Sequence, residues 1–332
     1  MVVALELLAA FVLIVAGAIG FTNAVEWLGH RLNLGAGAVG AVLAAVGTAL
    51  PESTIPVVAL VRNPGDPEAI DIAIGAILGA PFLLGTVAML LVAGSAIVFR
   101  ERREQGDRVE IHPRSTRRDL GFFLAVMPIG LVIGAVGASN PVRMVAAVLL
   151  VLTYVAYTAR TIKQGGDAED EELQALYFDT SKKDPPNTGQ IAVQFIVSLG
   201  AIILGAELFV RGVQSIAESL SLEPLILSLI LAPLATELPE KANTVVWMRK
   251  GKDVLAVGNI TGAMAFQATI PVALGLMLTD WELNRYAIAA GVAGLAGAAL
   301  ALYALPRQRL GPVHAAIWGA LFVGFVAFAA LA

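Results

Sequence analysis

Cysteine is missing from all 332 residues, and histidine occurs only three times, at His30, His112 and His314, no two of them close together. The first absence excludes disulfides, thiolate metal sites and thiol catalysis. The second removes the spacing in which two histidines on one helix face hold zinc. Charge is also scarce: Asp, Glu, Lys and Arg make up 14% of the chain, against roughly a quarter in an average soluble domain. A net charge of −4 gives no basic surface for a nucleic acid. The start, Met1-Val-Val-Ala-Leu-Glu6, lacks a basic stretch, so the first apolar run reads as a retained span and not a cleaved signal. With no nucleophile–base pair in view, nothing suggests an enzyme or a resident cofactor.

What is abundant is hydrocarbon. Hydrophobic residues make up 58% of the chain, and the mean hydropathy is +0.79. Ten stretches approach or exceed the roughly 20 residues needed to cross a hydrocarbon core of about 30 Å. They lie near 3–22, 36–61, 70–98, 119–138, 142–163, 191–212, 223–248, 254–279, 286–305 and 312–331. The third contains Gly75, Gly79, Pro81 and Gly85 and reads as one broken, tilted helix. The mildly amphipathic stretch 22–30, and its counterpart 211–218, extend the first and sixth helices toward the interface. Lys and Arg fall seventeen to four in favour of the odd-numbered loops, with Lys241 inside a span. Positive charge stays in the cytoplasm, which places both termini outside. The predicted fold is therefore an all-α polytopic membrane protein of the inner or plasma membrane. A first five-helix repeat covers 1–163, a cytoplasmic acidic linker 164–190, and a second five-helix repeat 191–332. The run Asp167-Ala-Glu-Asp-Glu-Glu172 reads as a solvated tether, and the arginine-rich 100–118 loop marks the face of anionic headgroups.

The halves repeat. Setting Glu52 on Glu240 gives an offset of 188 residues, which brings Gly17 onto Gly205, Ala18 onto Ala206, Thr48 onto Thr236, Leu50 onto Leu238 and Pro51 onto Pro239. After a loop five residues shorter in the second half, Gly75 falls on Gly258 and Gly79 on Gly262. An odd number of spans per half inverts one repeat relative to the other, the architecture of secondary transporters with broken helices and an ion site near the midplane.

The stretch Thr-x-Leu-Pro-Glu, present at 48–52 and 236–240, carries the chemistry. A carboxylate inside a span is costly unless paired, hydrated or metal-bound. Proline lacks an N–H for the carbonyl four residues earlier, which frees the carbonyls of Gly47 and Ala235. Thr48 and Glu52 share a helix face, as do Thr236 and Glu240. Two such helices meeting across a pseudo-twofold axis would form an all-oxygen cage for a hard cation, and Ca2+ accepts about six to eight oxygens in flexible geometry.

On these residues, together with Gly75-Ala-Ile-Leu-Gly79 and Gly258-Asn-Ile-Thr-Gly262, the chain resembles the calcium/cation antiporter superfamily, which includes the sodium/calcium exchangers. The resemblance implies that Glu52 and Glu240 are the principal Ca2+ ligands and that Thr48 and Thr236 add oxygens. It also implies that the first and sixth spans slide against a core to alternate access. The chain departs from the family pattern where a serine usually follows the threonine: Ala49 and Glu237 stand there. Ala80-Pro81 and Ala263-Met264 replace polar residues after the second glycine, and Leu84 and Gln267 occupy positions of carboxamides or carboxylates. The first half thus lacks most accessory oxygens that several sodium ions would need, while Glu237 adds a third carboxylate and Gln267 keeps a carboxamide. Expected partners are inorganic cations and the bilayer: Ca2+ or another divalent cation, exchanged for Na+ or H+. The alternative is a non-transporting scaffold or sensor that retains the fold. Among other polar residues, Glu6, Asp71, Glu207 and Asp253 read as snorkelling at span ends, and Asn243 and Asn259 as pathway-lining or interhelical groups.

Overall fold

The computed structural model describes residues 2–31, 52–106, 108–163, 174–179, 186–220 and 222–331, though not the side chains of Val2, His30, Ile162, Pro239 and Glu240 among them. Among the described residues the regular structure is helical, apart from one isolated bridge between Arg108 and Arg309. This follows from composition: in lipid a span must satisfy its own backbone, and a helix does so within one segment. The first half holds α1 (Val2–Arg31), α2 (52–62), α3 (Pro67–Leu83), α4 (Met89–Val98), α5 (Pro113–Ala135) and α6 (Asn140–Lys163). The second holds α7 (Thr188–Leu220), α8 (Pro224–Arg249), α9 (Asp253–Gln267), α10 (Ile270–Leu278), α11 (Arg285–Ala304) and α12 (Pro312–Leu331). Eight of the helical stretches described are long and apolar enough to cross a membrane. The apolar part of α8 is shorter, Pro224–Leu238, because charged residues follow it.

Helix ends carry their own signals. Asp66 accepts from the Glu68 N–H at 3.1 Å, ahead of Pro67 in the first turn of α3. Asn284 accepts from the N–H groups of Tyr286 and Ala287, both at 3.0 Å, to start α11. Both caps satisfy amide groups that have no helical partner.

The third span is broken, as expected from its glycines and proline. A π turn, Leu84–Ala88, joins α3 to α4, one turn after Pro81 withholds an N–H from the ladder. The eighth span breaks at Ala268–Thr269, between α9 and α10, where Pro271 has the same effect and the Thr269 hydroxyl lies within hydrogen-bond distance of the Ala265 and Phe266 carbonyls. The break expected at the second Pro-Glu is not there: α8 stays helical through Pro233 and Pro239. A proline inside a helix can be absorbed by a bend without loss of helical dihedrals. Gly47, Thr48 and Pro51, on which the first such break was placed, lie outside the described residues.

Packing repeats itself across the halves. α1 lies along α7, and α3 along α8. α5 packs on α9 as α11 packs on α3, and α6 packs on α10 as α12 packs on α4. Apart from α3–α8, each of these pairings turns into its partner when the halves are exchanged, α1–α7 into itself. The α1–α7 contact shows the same exchange at single residues. A Cβ on Gly17 would fall 2.8 Å from Ile202 and 2.9 Å from the Ser198 carbonyl. On Gly205, its counterpart, one would fall 2.8 Å from Ile14 and 3.0 Å from the Ala10 carbonyl.

α3 and α4 sit at the centre, whereas α6 and α12 are largely peripheral and turn residues such as Val145, Val148, Leu149 and Leu152 outward, as lipid-facing helices do. The α3–α8 seam is tight: Ser228 donates to the Ile72 carbonyl at 2.7 Å, and a Cβ on Gly79 would come within 2.3 Å of the Leu229 carbonyl oxygen. Gly79→Ala is expected to destabilise the protein by about 1–3 kcal/mol, the usual cost of overpacking, read as a lower midpoint of thermal unfolding in detergent. Gly94→Ala, inside α4 at a position with nothing within 4 Å, should not lower that midpoint and should raise it slightly, because alanine is the better helix former.

Candidate cation site

The start of α2, the π turn of the third span, α8 and α9 enclose a small cavity. Its walls are Glu52, Leu84, Ala88, Glu237, Lys241, Thr244, Asn259, Ile260 and Ala263, and its volume is ≈ 10 Å³, close to what one water molecule requires. Each Thr-x-Leu-Pro-Glu segment supplies one acid to it, Glu52 from the first half and Glu237 from the second. Among the described residues no group of three or more acidic or histidine side chains is assembled.

Each of these acids has an internal partner. The Gln267 amide donates through Nε2 to Oε2 of Glu52. Lys241, one helical turn beyond Glu237, donates through Nζ to its Oε2. Both side chains of that pair are almost wholly buried, 6% exposed for Lys241 and 2% for Glu237. Burying one charge alone would cost several kcal/mol, which a close opposite charge offsets. The remaining oxygen of Glu237, Oε1, is buried with no hydrogen-bond partner among the described residues, so it keeps free acceptor capacity. Thr244, 1% exposed, continues the 237–241 face of α8 by three residues.

Two positions singled out by the motif lie at this cavity: Leu84 lines it, and Gln267 reaches it through Glu52. Ala263 lines it too, so positions where a polar group was missed in the sequence are apolar wall. Asn259 borders the cavity, whereas Asn243 is exposed. Thr236 is buried and turns its hydroxyl back to the Ala232 carbonyl at 3.2 Å. Ala235 packs in a separate apolar cluster with residues of α1, α3 and α7. The Glu240 side chain, Thr48 and Gly47 are outside the described set. Sequence reasoning gave no role to Lys241 and Thr244, although the four-residue step from Glu237 to Lys241 is the spacing of a helical ion pair.

Other buried polar groups pair away from this cavity, although Arg103 Nε and Nη1 and Asp253 Oδ1 have no hydrogen-bond partner among the described residues. Asp119 accepts from Tyr157 at 2.6 Å, Arg118 at 3.0 Å and Thr261 at 3.1 Å. Gln194 of α7 donates to the Gly20 carbonyl at 2.8 Å and to Asn23 at 2.9 Å, and accepts from the Phe178 N–H at 2.9 Å. Residues 174–179 of the linker are thus held on the α1–α7 pair. Asp253, read as a snorkelling residue, is instead completely buried and paired with Arg103. Its partner lies 150 residues away, beyond what local pattern can reveal.

Comparison with known proteins places this arrangement in context. The sequence pattern of the family described as sodium/calcium exchanger protein matches residues 2–163 and 190–331. Inner membrane protein YrbG of Escherichia coli (strain K12) is 26% identical over 256 residues, covering 75% of this chain and 71% of YrbG. The crystal structure of the H+/Ca2+ exchanger CAX superposes with a TM-score of 0.73 at 18% identity, covering 98% of this chain and 81% of that one. The sodium-calcium exchanger NCX_Mj superposes with a TM-score of 0.60 at 21% identity, covering 98% of each. At these identities the structural likeness is one of fold.

Proposed function

The chain belongs to the sodium/calcium exchanger protein family, a family of secondary transporters and not of enzymes, and on that premise we propose that it exchanges a divalent cation, Ca2+, for Na+ or H+ across a cell membrane. The observation that carries this reading is the buried cavity to which acids of both repeated segments, Glu52 and Glu237, contribute. Glu52 and Glu240 act as the principal ligands. Thr48, Thr236, the carbonyls of Gly47 and Ala235, the free Oε1 of Glu237 and the Gln267 amide oxygen complete the shell. Gln267 currently turns its nitrogen to Glu52, and a carboxamide can rotate to offer its oxygen instead. The chain forms ten spans as two inverted five-helix repeats, with both termini outside and the linker in the cytoplasm. The α1–α7 pair is the sliding element. The apolar wall at Leu84, Ala88 and Ala263 favours H+ as counter-ion, because bare Na+ needs oxygens to replace its water.

A scaffold or sensor is the second reading, favoured by the internal donors that already hold Glu52 and Glu237. Radiocalcium uptake into vesicles under imposed pH or Na+ gradients separates the two. Uptake driven by a gradient, and lost in Glu52→Gln and in Glu240→Gln, supports the antiporter. A gradient that drives no calcium movement in the unmodified protein supports the scaffold.

A further inference from the structure

Lys241 has no counterpart in the first repeat: the residue that follows Glu52 is Ser53. It is nevertheless buried in the wall of the cavity, one turn from Glu237 and across from Glu52. We infer that Lys241 is a resident cation of the ion site, whose ammonium takes the place of one monovalent ion and limits the site to a single divalent cation with no Na+ beside it. This inference rests on the antiporter reading above.

The charge balance is the first ground. With Glu240, a ligand in the reading above, Glu52 and Glu237 make three carboxylates; ionised, they carry three negative charges, and the Lys241 ammonium leaves two, the charge of one divalent cation. The second ground is position. A lysine ammonium is a compact point charge with three donors, and here its chain is anchored on the same helix as its acid, so it cannot be released to either side of the membrane as Na+ would be. The third is the remaining oxygen. Lys241 occupies Oε2 of Glu237, while Oε1 is buried without a hydrogen-bond partner among the described residues; one carboxylate can thus balance the ammonium and still offer an oxygen to the transported ion. Finally, the groups that face the pair from the other elements are Glu52 of α2, the apolar Leu84 and Ala88 of the π turn, and Asn259, Ile260 and Ala263 of α9. Among these described wall residues, Leu84, Ala88, Ile260 and Ala263 carry no side-chain oxygen for a second ion.

The test is equilibrium binding of radiocalcium and radiosodium to the purified full-length protein in detergent. The unmodified protein should bind Ca2+, retain no Na+, and show Ca2+ binding indifferent to added Na+. Lys241→Met restores the third negative charge, so this variant should retain Na+, and added Na+ should shift its Ca2+ affinity by about tenfold, one decade of binding constant. Because Lys241→Met leaves Glu237 buried without its partner, the double variant Glu237→Gln/Lys241→Met is measured as well. Its net charge equals that of the unmodified protein, so it should again retain no Na+, even where the lost oxygen weakens Ca2+ binding. Sodium retained by the unmodified protein or by the double variant overturns the inference, as does a monodisperse Lys241→Met protein that binds Ca2+ and ignores Na+. If the unmodified protein binds no Ca2+, the antiporter reading falls first and takes this inference with it.

Discussion

Glu52→Gln is expected to lower Ca2+ exchange by about thirtyfold or more. The change keeps shape and volume and replaces a carboxylate ligand with a neutral amide. The amide oxygen at that position can still accept from Gln267, so the start of α2 and its contact with α9 should persist. What is lost is one of the two negative charges proposed to face the ion. Removing one member of a buried charged contact costs about 2–5 kcal/mol, and each 1.4 kcal/mol is about a factor of ten in affinity. Initial rates of uptake into proteoliposomes at sub-saturating Ca2+ measure this. A variant that transports as the unmodified protein does would remove Glu52 from the ligand set.

Asp253→Ala is expected to be the most destabilising single change at the loop end of the helices, by about 3–5 kcal/mol, the range for breaking a buried ion pair from one side. Asp253 joins three groups. It accepts from the Arg103 guanidinium and, at 3.0 Å, from the Glu110 N–H, while Arg103 also donates to the Arg108 carbonyl at 2.8 Å. The side chains of Arg103 and Asp253 are both fully buried. Without the acid, a guanidinium is left uncompensated inside the 99–112 loop, which is otherwise fastened by Gln105 to the Gly251 carbonyl at 3.2 Å and by the Val109 N–H to the Gln308 carbonyl at 2.9 Å. Thermal unfolding in detergent reads the loss as a lower midpoint. Replacing both partners together, Arg103→Met with Asp253→Leu, should recover most of it, since an apolar pair of similar volume often substitutes for a buried ion pair. If Asp253→Ala melts where the unmodified protein does, the pair contributes nothing.

Much of the frame was legible because lipid makes hydrophobic length and turn residues decisive. Among the described residues the apolar runs became helices, and the amphipathic extensions of the first and sixth spans became the long α1 and α7. Gly17 and Gly205, aligned by the repeat, each mark the close approach of the same two helices. The break in the third span followed from Pro81 and its glycines. Pattern failed in α8, where apolar residues surround the helix on every side as far as Leu238, so no periodicity says which face meets the cavity. Reading Pro239 as a break and passing over Lys241 both follow from that. Asp253 and Arg103 were missed for a different reason: a contact between distant loops leaves no trace in local sequence. At the candidate site, Glu52, Glu237 and Gln267 were legible because polar groups in a membrane span stand out against hydrocarbon, and Leu84 because it departs from the family pattern. Thr244 was not, since a threonine costs little there and signals little.

Acids from the two repeats are proposed to hold one divalent cation between them. Anomalous diffraction from crystals soaked in Sr2+, a heavier stand-in for Ca2+, tests this most directly. A single peak is expected within bonding distance of carboxylate oxygens of both Glu52 and Glu240, roughly 0.2 Å beyond the 2.3–2.6 Å range of calcium–oxygen bonds because Sr2+ is the larger ion. A peak that touches neither acid, or two carboxylates turned away from each other with no peak between them, would contradict it.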